Sequence, residues 1–147
     1  MSARFFEDLA VGQKFHSPTL SLDPRAITAF AAEFDPQPFH LDDEAARRTM
    51  FGGLAASGWH TAALTMRLCV ASDFRPAGGI VGIGGELSWL KPVRPGDELR
   101  VEIEVIEVRQ SRSRPRQGVV KVTVTTLNQN GDVVQTFAPT LFVDRRP

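Results

Sequence analysis

Apolar and polar residues alternate along most of the second half of the chain. Leucine, valine and isoleucine occupy every second position from 99 to 105, with arginine or glutamate between them, which predicts a half-buried strand. The alternation shifts by one residue at 106–107 and predicts a β-bulge. Alternating valines at 120–124, an Asn-Gly turn at 130–131 and the segment 133–143 predict two further strands joined by a hairpin. These three strands form an antiparallel meander.

The first half of the chain carries helical signals instead. Asp23 and Pro24 suit the cap and the first position of a helix, and the apolar residues that follow form one stripe at helical spacing. Prolines at 36 and 38 end this helix, and they predict a rigid, extended segment over 35–39. A short helix is expected from 42 to about 48, before two consecutive glycines.

A longer helical segment, from Trp59 to about Ser72, is apolar on almost all sides, which is typical of a buried helix. We expect it to pack as a central helix against one curved antiparallel sheet. That sheet includes a glycine-broken strand from Ile80 to Leu90, whose glycines are expected to allow close backbone approach beneath the helix. The predicted fold class is α+β, and 147 residues fit a single domain over 1–147.

Composition and charge exclude several classes of function. The chain has 17 basic and 17 acidic residues, and a net charge of +0 disfavours a dedicated nucleic-acid binder. No apolar run is long enough for a membrane span, and the acidic N-terminus lacks the pattern of a secretory signal. The single Cys69 rules out an internal disulfide and a multi-cysteine zinc site, and the three histidines lack metal-binding spacing. We therefore expect a cytoplasmic protein with no metal, nucleic-acid or membrane partner.

Asp35 and His40 are the first candidates for chemistry. They lie five residues apart across a segment stiffened by two prolines, and general acid–base catalysis requires such a pair in a fixed relation. The alternative is a structural or solvated proline-rich turn, which the two residues alone do not exclude.

The small-residue loop 52–58 enters the central helix and is the second candidate. The first N–H groups of a helix lack internal partners and carry the positive end of the helix dipole, which suits a developing oxyanion. The alternative is ordinary helix capping by Ser57, with glycines that allow a tight turn. His60 lies inside the helix and is interpreted as a packed polar residue.

Four arginines in eight residues form the third candidate, because guanidinium groups bind phosphates. They are Arg109, Arg112, Arg114 and Arg116. The alternative is a solvated hairpin tip. Aromatic residues are not interleaved with them as in proteins that bind single-stranded nucleic acid.

Three segments in order resemble the MaoC-like dehydratases, the family of the (R)-specific enoyl-CoA hydratases. Asp35-Pro-Gln-Pro-Phe-His40 is similar to the hydratase motif Asp-x-Asn-Pro-(Leu/Ile/Val)-His. Phe51-Gly-Gly-Leu-Ala-Ala-Ser-Gly58 is similar to Phe-Gly-x-x-Ile-Ala-His-Gly, and 89–97 resembles the strand and turn of the family. The resemblance runs over nearly the whole chain. It implies a hot-dog fold, in which an antiparallel sheet wraps a long central helix.

The resemblance also implies an activity, the reversible syn addition of water to a trans-2-enoyl thioester of CoA or acyl carrier protein. The product is an (R)-3-hydroxyacyl thioester, and no cofactor is expected. Asp35 and His40 match the catalytic pair, and Gly58 matches the residue whose N–H receives the thioester carbonyl. The expected substrate contacts are Ser57, Gln37, Phe39, Trp59, Arg112 and Arg114.

Departures from the family pattern leave the acyl group open. Gln37 replaces the motif asparagine, Phe39 replaces a smaller branched residue, and Ser57 replaces a histidine. For catalysis we expect His40 to activate water and Asp35 to be the proton partner, with its pKa raised by burial between Phe34 and Phe39. The sequence does not decide whether these two roles are instead exchanged or shared.

Two other functions fit the same fold, a hot-dog thioesterase and a non-catalytic acyl-thioester-binding subunit. The presence of both Asp35 and His40 favours the hydratase, since a binding module requires neither. A homodimer is expected because strands 119–127 have a valine-rich face and the family pairs its sheets edge to edge.

Overall fold

The computed structural model describes residues 2–147 as four helices and six strands in an α+β arrangement, with a short 3₁₀ turn near the N-terminus. The helices are α1 (Pro24–Phe34), α2 (Pro38–Leu41), α3 (Asp43–Ala46) and α4 (Gly58–Ala71). The strands are β1 (Lys14–His16), β2 (Leu20–Ser21), β3 (Val81–Trp89), β4 (Glu98–Gln110), β5 (Gln117–Leu127) and β6 (Val133–Asp144). No helix within 2–147 is long and apolar enough to cross a membrane.

The strands form one antiparallel sheet in the order β1-β4-β5-β6-β3, and β2 also pairs with β4. The predicted meander is confirmed as β4, β5 and β6. The predicted bulge is confirmed as well, since the register with β5 shifts between Val105 and Glu107. Strand β3 does not join the sheet beside β4, which follows it in sequence. It pairs with β6 and forms an edge of the sheet.

Helix α4 packs across one face of the sheet. Thr65, Leu68 and Cys69 on α4 are buried, and so are the inward-facing residues of β4 and β5. Val120, Val122 and Val124 belong to this core, so the valine-rich face proposed as a dimer surface is already covered within one chain.

The expectation that the central helix is buried on all sides is wrong for a single chain. Trp59 and Val70 are 59% and 65% exposed, because only one face of α4 contacts the sheet. The neighbouring edge strand β3 is also exposed along most of its length, including Val81 and Ile83. One side of the molecule therefore presents an apolar helix face and an unpaired strand edge to solvent.

The segment after α1 is not extended throughout. Gln37 has the extended backbone that a following proline favours, but Pro38 begins the helical turn α2 instead of continuing the extended segment. Proline suits this position because the first helical N–H has no internal partner. The turn places His40 within a helix.

Close backbone approach at the glycines of β3 involves the neighbouring strand and not the central helix. A Cβ atom on Gly85 would lie 2.7 Å from the Cα atom of Pro139 in β6. Close backbone approach at these glycines is therefore confirmed, but the predicted partner, the central helix, is wrong. The pairing of β3 with β6 could not be inferred from either strand alone.

Candidate active site

Asp35 lies at the C-terminal end of α1, where its carboxylate is held by two side chains. Ser57 donates a hydrogen bond to Oδ2 at 2.6 Å, and Gln37 donates one to Oδ1 at 2.6 Å. The Asp35 backbone N–H still bonds to Ala31 of α1 at 2.9 Å. The Asp35 carboxylate is therefore fixed from three directions, by the end of α1, by the loop that follows it and by the entry of α4.

His40 lies on α2 and is buried. Its Nδ1 is 2.7 Å from the carbonyl oxygen of Ala55, and a carbonyl can only accept, so Nδ1 carries the proton. The Nε2 atom lies 3.4 Å from Oδ2 of Asp35. In the neutral ring, Nε2 is therefore the basic nitrogen and faces the carboxylate. The Phe39 ring packs at 90° to the imidazole and limits its rotation.

The ionisation of Asp35 differs from the sequence-based expectation. Burial raises the pKa of the Asp35 carboxyl, but hydrogen bonds from Ser57 and Gln37 and the charge of His40 lower it by more. The net pKa is below the ordinary value. Phe34, expected to bury this group, is 64% exposed because its side chain points away from the core. Asp35 is thus a carboxylate at neutral pH, and the expectation of a raised pKa is wrong.

Gly58 is the first residue of α4, and Ser57 caps the helix by accepting a hydrogen bond from the N–H of Trp59 at 3.2 Å. Within residues 2–147, no acceptor bonds to the Gly58 N–H. A side chain at this position would collide with Trp89, because its Cβ atom would lie 2.5 Å from the indole ring. The glycine therefore allows an indole ring to cover the helix entry beside a free N–H group.

A surface groove of about 500 Å³ contains this arrangement. Six of the predicted site residues line it, namely Asp35, Gln37, Phe39, His40, Gly58 and Trp59. The groove also includes further residues that sequence reasoning missed, namely Met50, Phe51, Trp89, Leu90 and Lys91. The motif-like segment 51–58 gives a signal for Phe51 and the segment 89–97 gives one for the last three, whereas Met50 has none.

Ser57 is expected to contact substrate, but the structure places its side chain elsewhere. Its side chain is fully buried and is engaged by Asp35 and by the helix that it caps. Ser57 therefore positions the carboxylate from beneath the groove.

Arg112 and Arg114 are not brought to the groove either. They lie in the arginine loop, residues 111–116, which joins β4 to β5. Along β6, the residue opposite Trp89 and the residue opposite Gln117 are nine positions apart, or about 30 Å at 3.3 Å per residue. Within one chain the loop therefore lies at the other end of the sheet. The Arg114 guanidinium stacks on Phe142 at 5.0 Å from the ring centroid.

A second cavity, of about 350 Å³, lies between α4 and the sheet. Its lining is almost entirely apolar and includes Met66, Cys69, Leu87 and Phe137. Burial raises the pKa of the Cys69 thiol to about 12, so the thiol stays protonated. Trp59 lines both this cavity and the groove, which makes the two neighbours across one indole ring.

Comparison with known proteins identifies the family. Residues 7–128 match the family model described as the MaoC like domain. The chain is a member of the MaoC-like family. The match includes Asp35, His40 and Gly58, and the resemblance deduced from the sequence is confirmed.

Relatives of this MaoC-like protein include a solved structure and two proteins that carry enzyme names. A MaoC-like dehydratase structure from Rhodospirillum rubrum superimposes with a TM-score of 0.96 at 57% identity and covers 99% of both chains. The hot-dog fold is thereby confirmed. A 3-hydroxybutyryl-CoA dehydratase of Methylorubrum extorquens is 36% identical over 76% of this chain and 70% of its own. The (R)-specific enoyl-CoA hydratase of Aeromonas caviae is 30% identical over 88% and 92%.

Proposed function

We propose that this protein catalyses the reversible syn hydration of a trans-2-enoyl thioester to an (R)-3-hydroxyacyl thioester. The observation that carries the proposal is the juxtaposition of the Asp35 carboxylate and the basic Nε2 of His40, 3.4 Å apart, at the entry of α4. The names of the Methylorubrum and Aeromonas relatives support the same reaction class. Asp35, His40 and Gly58 are the catalytic residues of this proposal.

Activation of water follows from the two acceptors. Nε2 is unprotonated in the neutral ring and Oδ2 is ionised, so a water molecule beside the pair, within reach of both atoms, can donate one hydrogen bond to each. This fixes the direction of the oxygen lone pairs toward the substrate. His40 then takes a proton as the water oxygen bonds to the β-carbon, because its unprotonated Nε2 is a base within hydrogen-bond reach of that water.

The same imidazole returns the proton. Once protonated, Nε2–H lies on the face of the substrate from which the hydroxyl has added, and it can donate to the α-carbon of the enolate. Water thus supplies both the hydroxyl group on the β-carbon and the proton on the α-carbon, on one face, and His40 ends as it began. Asp35 remains ionised throughout and stabilises the imidazolium, which agrees with the lowered pKa of its carboxyl.

Gly58 handles the charge that develops on the thioester oxygen. Addition at the β-carbon moves an electron pair to that oxygen, and the free N–H at the start of α4 can donate to it. The positive end of the helix dipole adds to the stabilisation. A preorganised N–H donor of this kind costs no reorganisation during the reaction.

The apolar cavity is the proposed site of the acyl chain. It adjoins the groove at Trp59 and has few polar atoms to satisfy, so an alkyl chain gains by leaving water. A volume of about 350 Å³ favours short to medium chains. CoA and acyl carrier protein present the same thioester, so the hydration assay uses substrates on both carriers.

The assembly and location of the enzyme are part of the proposal. The exposed edge of β3 and the apolar face of α4 support a homodimer, because an unpaired strand edge otherwise favours aggregation. Light scattering at micromolar concentration is expected to give the mass of two chains, and a monomer would contradict the expectation. The buried free thiol of Cys69 supports a cytoplasmic location.

A hydration assay over a panel of trans-2-enoyl-CoAs tests the function. We expect the enoyl-thioester absorbance to fall with at least one substrate, and the (R)-3-hydroxyacyl product to appear without release of free thiol. Thiol release at the same rate would identify a thioesterase instead. Binding without either change would identify a non-catalytic acyl-thioester-binding protein. The same panel on acyl carrier protein distinguishes the two carriers.

A further inference from the structure

Arg94 lies outside the groove, in the turn between β3 and β4, and reaches across to the loop that enters α4. Its Nη1 donates to the carbonyl oxygens of Gly53 at 2.8 Å and of Leu54 at 3.3 Å, and its Nη2 donates to that of Phe51. Three backbone carbonyls of one short loop therefore converge on one guanidinium.

The convergence has two local causes. Gly52 has a φ of +66°, a conformation that glycine adopts without strain, and it turns the chain between the accepting carbonyls of Phe51 and Gly53. Arg94 is itself anchored, since its backbone N–H donates to Oδ2 of Asp97 at 2.8 Å. The backbone of Arg94 is thus fixed by Asp97, and its rigid, planar guanidinium is bonded to the loop.

The loop held in this way supplies the hydrogen-bond acceptor of His40. Ala55 follows Leu54 directly, and its carbonyl accepts the Nδ1–H of His40 at 2.7 Å. The Ala55 N–H donates to Phe39 at 3.1 Å, and the Ala56 N–H donates to Val93 at 2.8 Å. The bonds from Arg94 and to Val93 therefore fix the loop on both sides of the Ala55 carbonyl.

The geometry points to Arg94 as a positioning residue that selects the Nδ1–H tautomer of His40 by holding the Ala55 carbonyl in place. This inference rests on the proposed function for its effect on rate. If the carbonyl moves, Nδ1 loses its acceptor, and the neutral ring can place its proton on Nε2. That tautomer presents an N–H group to the Asp35 carboxylate and cannot remove a proton from water.

The test combines a spectrum and a rate, using Arg94→Met and Arg94→Lys. In ¹⁵N-histidine-labelled protein we expect wild-type His40 to show a protonated Nδ1 and an unprotonated Nε2. Arg94→Met is expected to show both tautomers. Its kcat is expected to fall about 100-fold, because small displacements of catalytic groups have effects of that size. KM should stay within about threefold, since Arg94 does not line the groove.

Arg94→Lys should lie between wild type and Arg94→Met, since an ammonium group keeps the charge without the planar fork. Arg100→Met is the matched control, because among residues 2–147 the only ion pair of Arg100 is with Glu102 at the surface. We expect that control to have wild-type spectra and rates.

A folded Arg94→Met protein with wild-type His40 signals and wild-type kcat would overturn the inference. If Arg94→Met does not fold, Arg94→Lys decides, and unchanged His40 signals in that variant would be equally contrary. The spectrum requires no substrate. If wild-type protein hydrates no enoyl thioester, the proposed function fails while the tautomer measurement still decides the role of Arg94.

Discussion

The two ends of the sheet differ in how their polar side chains are held. At the groove end, Asp35 and His40 are each bonded to groups from another element, at 2.6 Å and 2.7 Å. At the other end, Arg112 has no ion pair among the residues described, and Arg114 rests on one aromatic ring. The sequence predicts substrate contacts at both ends.

The difference shows which sequence signals locate a site. The segment 35–40 comes with prolines that set its backbone and with a helix entry that supplies its hydrogen-bond partners. The arginine loop contains Pro115 but has no helix entry that supplies hydrogen-bond partners, so Arg112, Arg114 and Arg116 remain exposed at a hairpin tip. Spacing within a constrained segment therefore predicts positioned chemistry better than local charge density does.

The largest effect is expected from His40→Gln. Glutamine can retain a hydrogen bond to Ala55 but cannot accept and return a proton, so kcat should fall by about 10²–10⁴. Steady-state hydration kinetics measure it, and circular dichroism checks the fold. His16→Gln is the control, since His16 is exposed on β1. A folded His40→Gln protein with wild-type kcat would contradict the claim that the groove end, unlike the other end of the sheet, holds positioned catalytic groups.

A smaller loss is expected from Gly58→Ala. The added methyl group would meet the Trp89 ring at 2.5 Å, so the ring must move from the helix entry. Overpacking of this kind costs about 1–3 kcal/mol of unfolding free energy. Removal of one oxyanion donor costs about 10²–10³ in kcat, and a displaced donor should cost less. Both are measured by urea unfolding and hydration kinetics.

The double variant Gly58→Ala/Trp89→Ala is the control for that collision. Compared with Trp89→Ala alone, the double variant should lose less unfolding free energy than Gly58→Ala loses relative to wild type, because the methyl group no longer meets a ring. Equal losses in the two backgrounds would show that the two residues do not conflict.

The two buried histidines, His40 and His60, can also be compared with each other. His60 stacks on Phe30 at 4.6 Å, and its Nδ1 has no hydrogen-bond partner among the described residues. Burial lowers the pKa of His60, so the unfolded chain binds a proton more readily than the folded one. Stability should therefore fall as pH decreases through the ordinary histidine pKa of 6.5.

His60→Phe should remove this dependence. Between about pH 7.5 and about pH 5.5, the unfolding free energy should fall less in the variant than in wild type. Urea unfolding at both pH values measures the difference, and His16→Gln serves as the exposed control. Equal slopes for wild type and His60→Phe would contradict the lowered pKa.

The smallest effect is expected from Arg112→Ala combined with Arg114→Ala. The arginine loop lies about 30 Å from the groove within one chain, so KM for CoA thioesters should change less than about twofold at low salt. A clear rise in KM would show that the arginine loop contacts substrate, for example across a subunit interface. Both ends of the sheet would then contribute to substrate binding.

Local signals predict the elements well. The Asp23 cap, the bulge after Val105 and the helix start beside Ser57 all follow from neighbouring residues, and the structure has each of them. The prolines between Asp35 and His40 likewise predict a rigid segment that holds the two residues in a fixed relation, although Pro38 begins a helical turn and the segment is not extended throughout.

Contacts between distant residues could not be predicted in this way. Trp89 covers Gly58 only because β3 pairs with β6, and Arg94 reaches Gly53 across 41 residues of sequence. The expected ionisation of Asp35 is wrong for a related reason. Its direction is decided by hydrogen bonds from Ser57 and Gln37, which outweigh the burial that sequence reasoning considers alone.

The most direct test of the central claim is the hydration rate of Asp35→Asn on an enoyl-CoA that wild type accepts. Asparagine keeps the size of the side chain but removes the charge that, in the proposed mechanism, stabilises the His40 imidazolium. We predict a fall in kcat of at least about 10² with little change in KM or fold, while Glu33→Gln, an exposed neighbour on α1, keeps the wild-type rate. A folded Asp35→Asn protein that hydrates the substrate at the wild-type rate would contradict the proposed role of the pair.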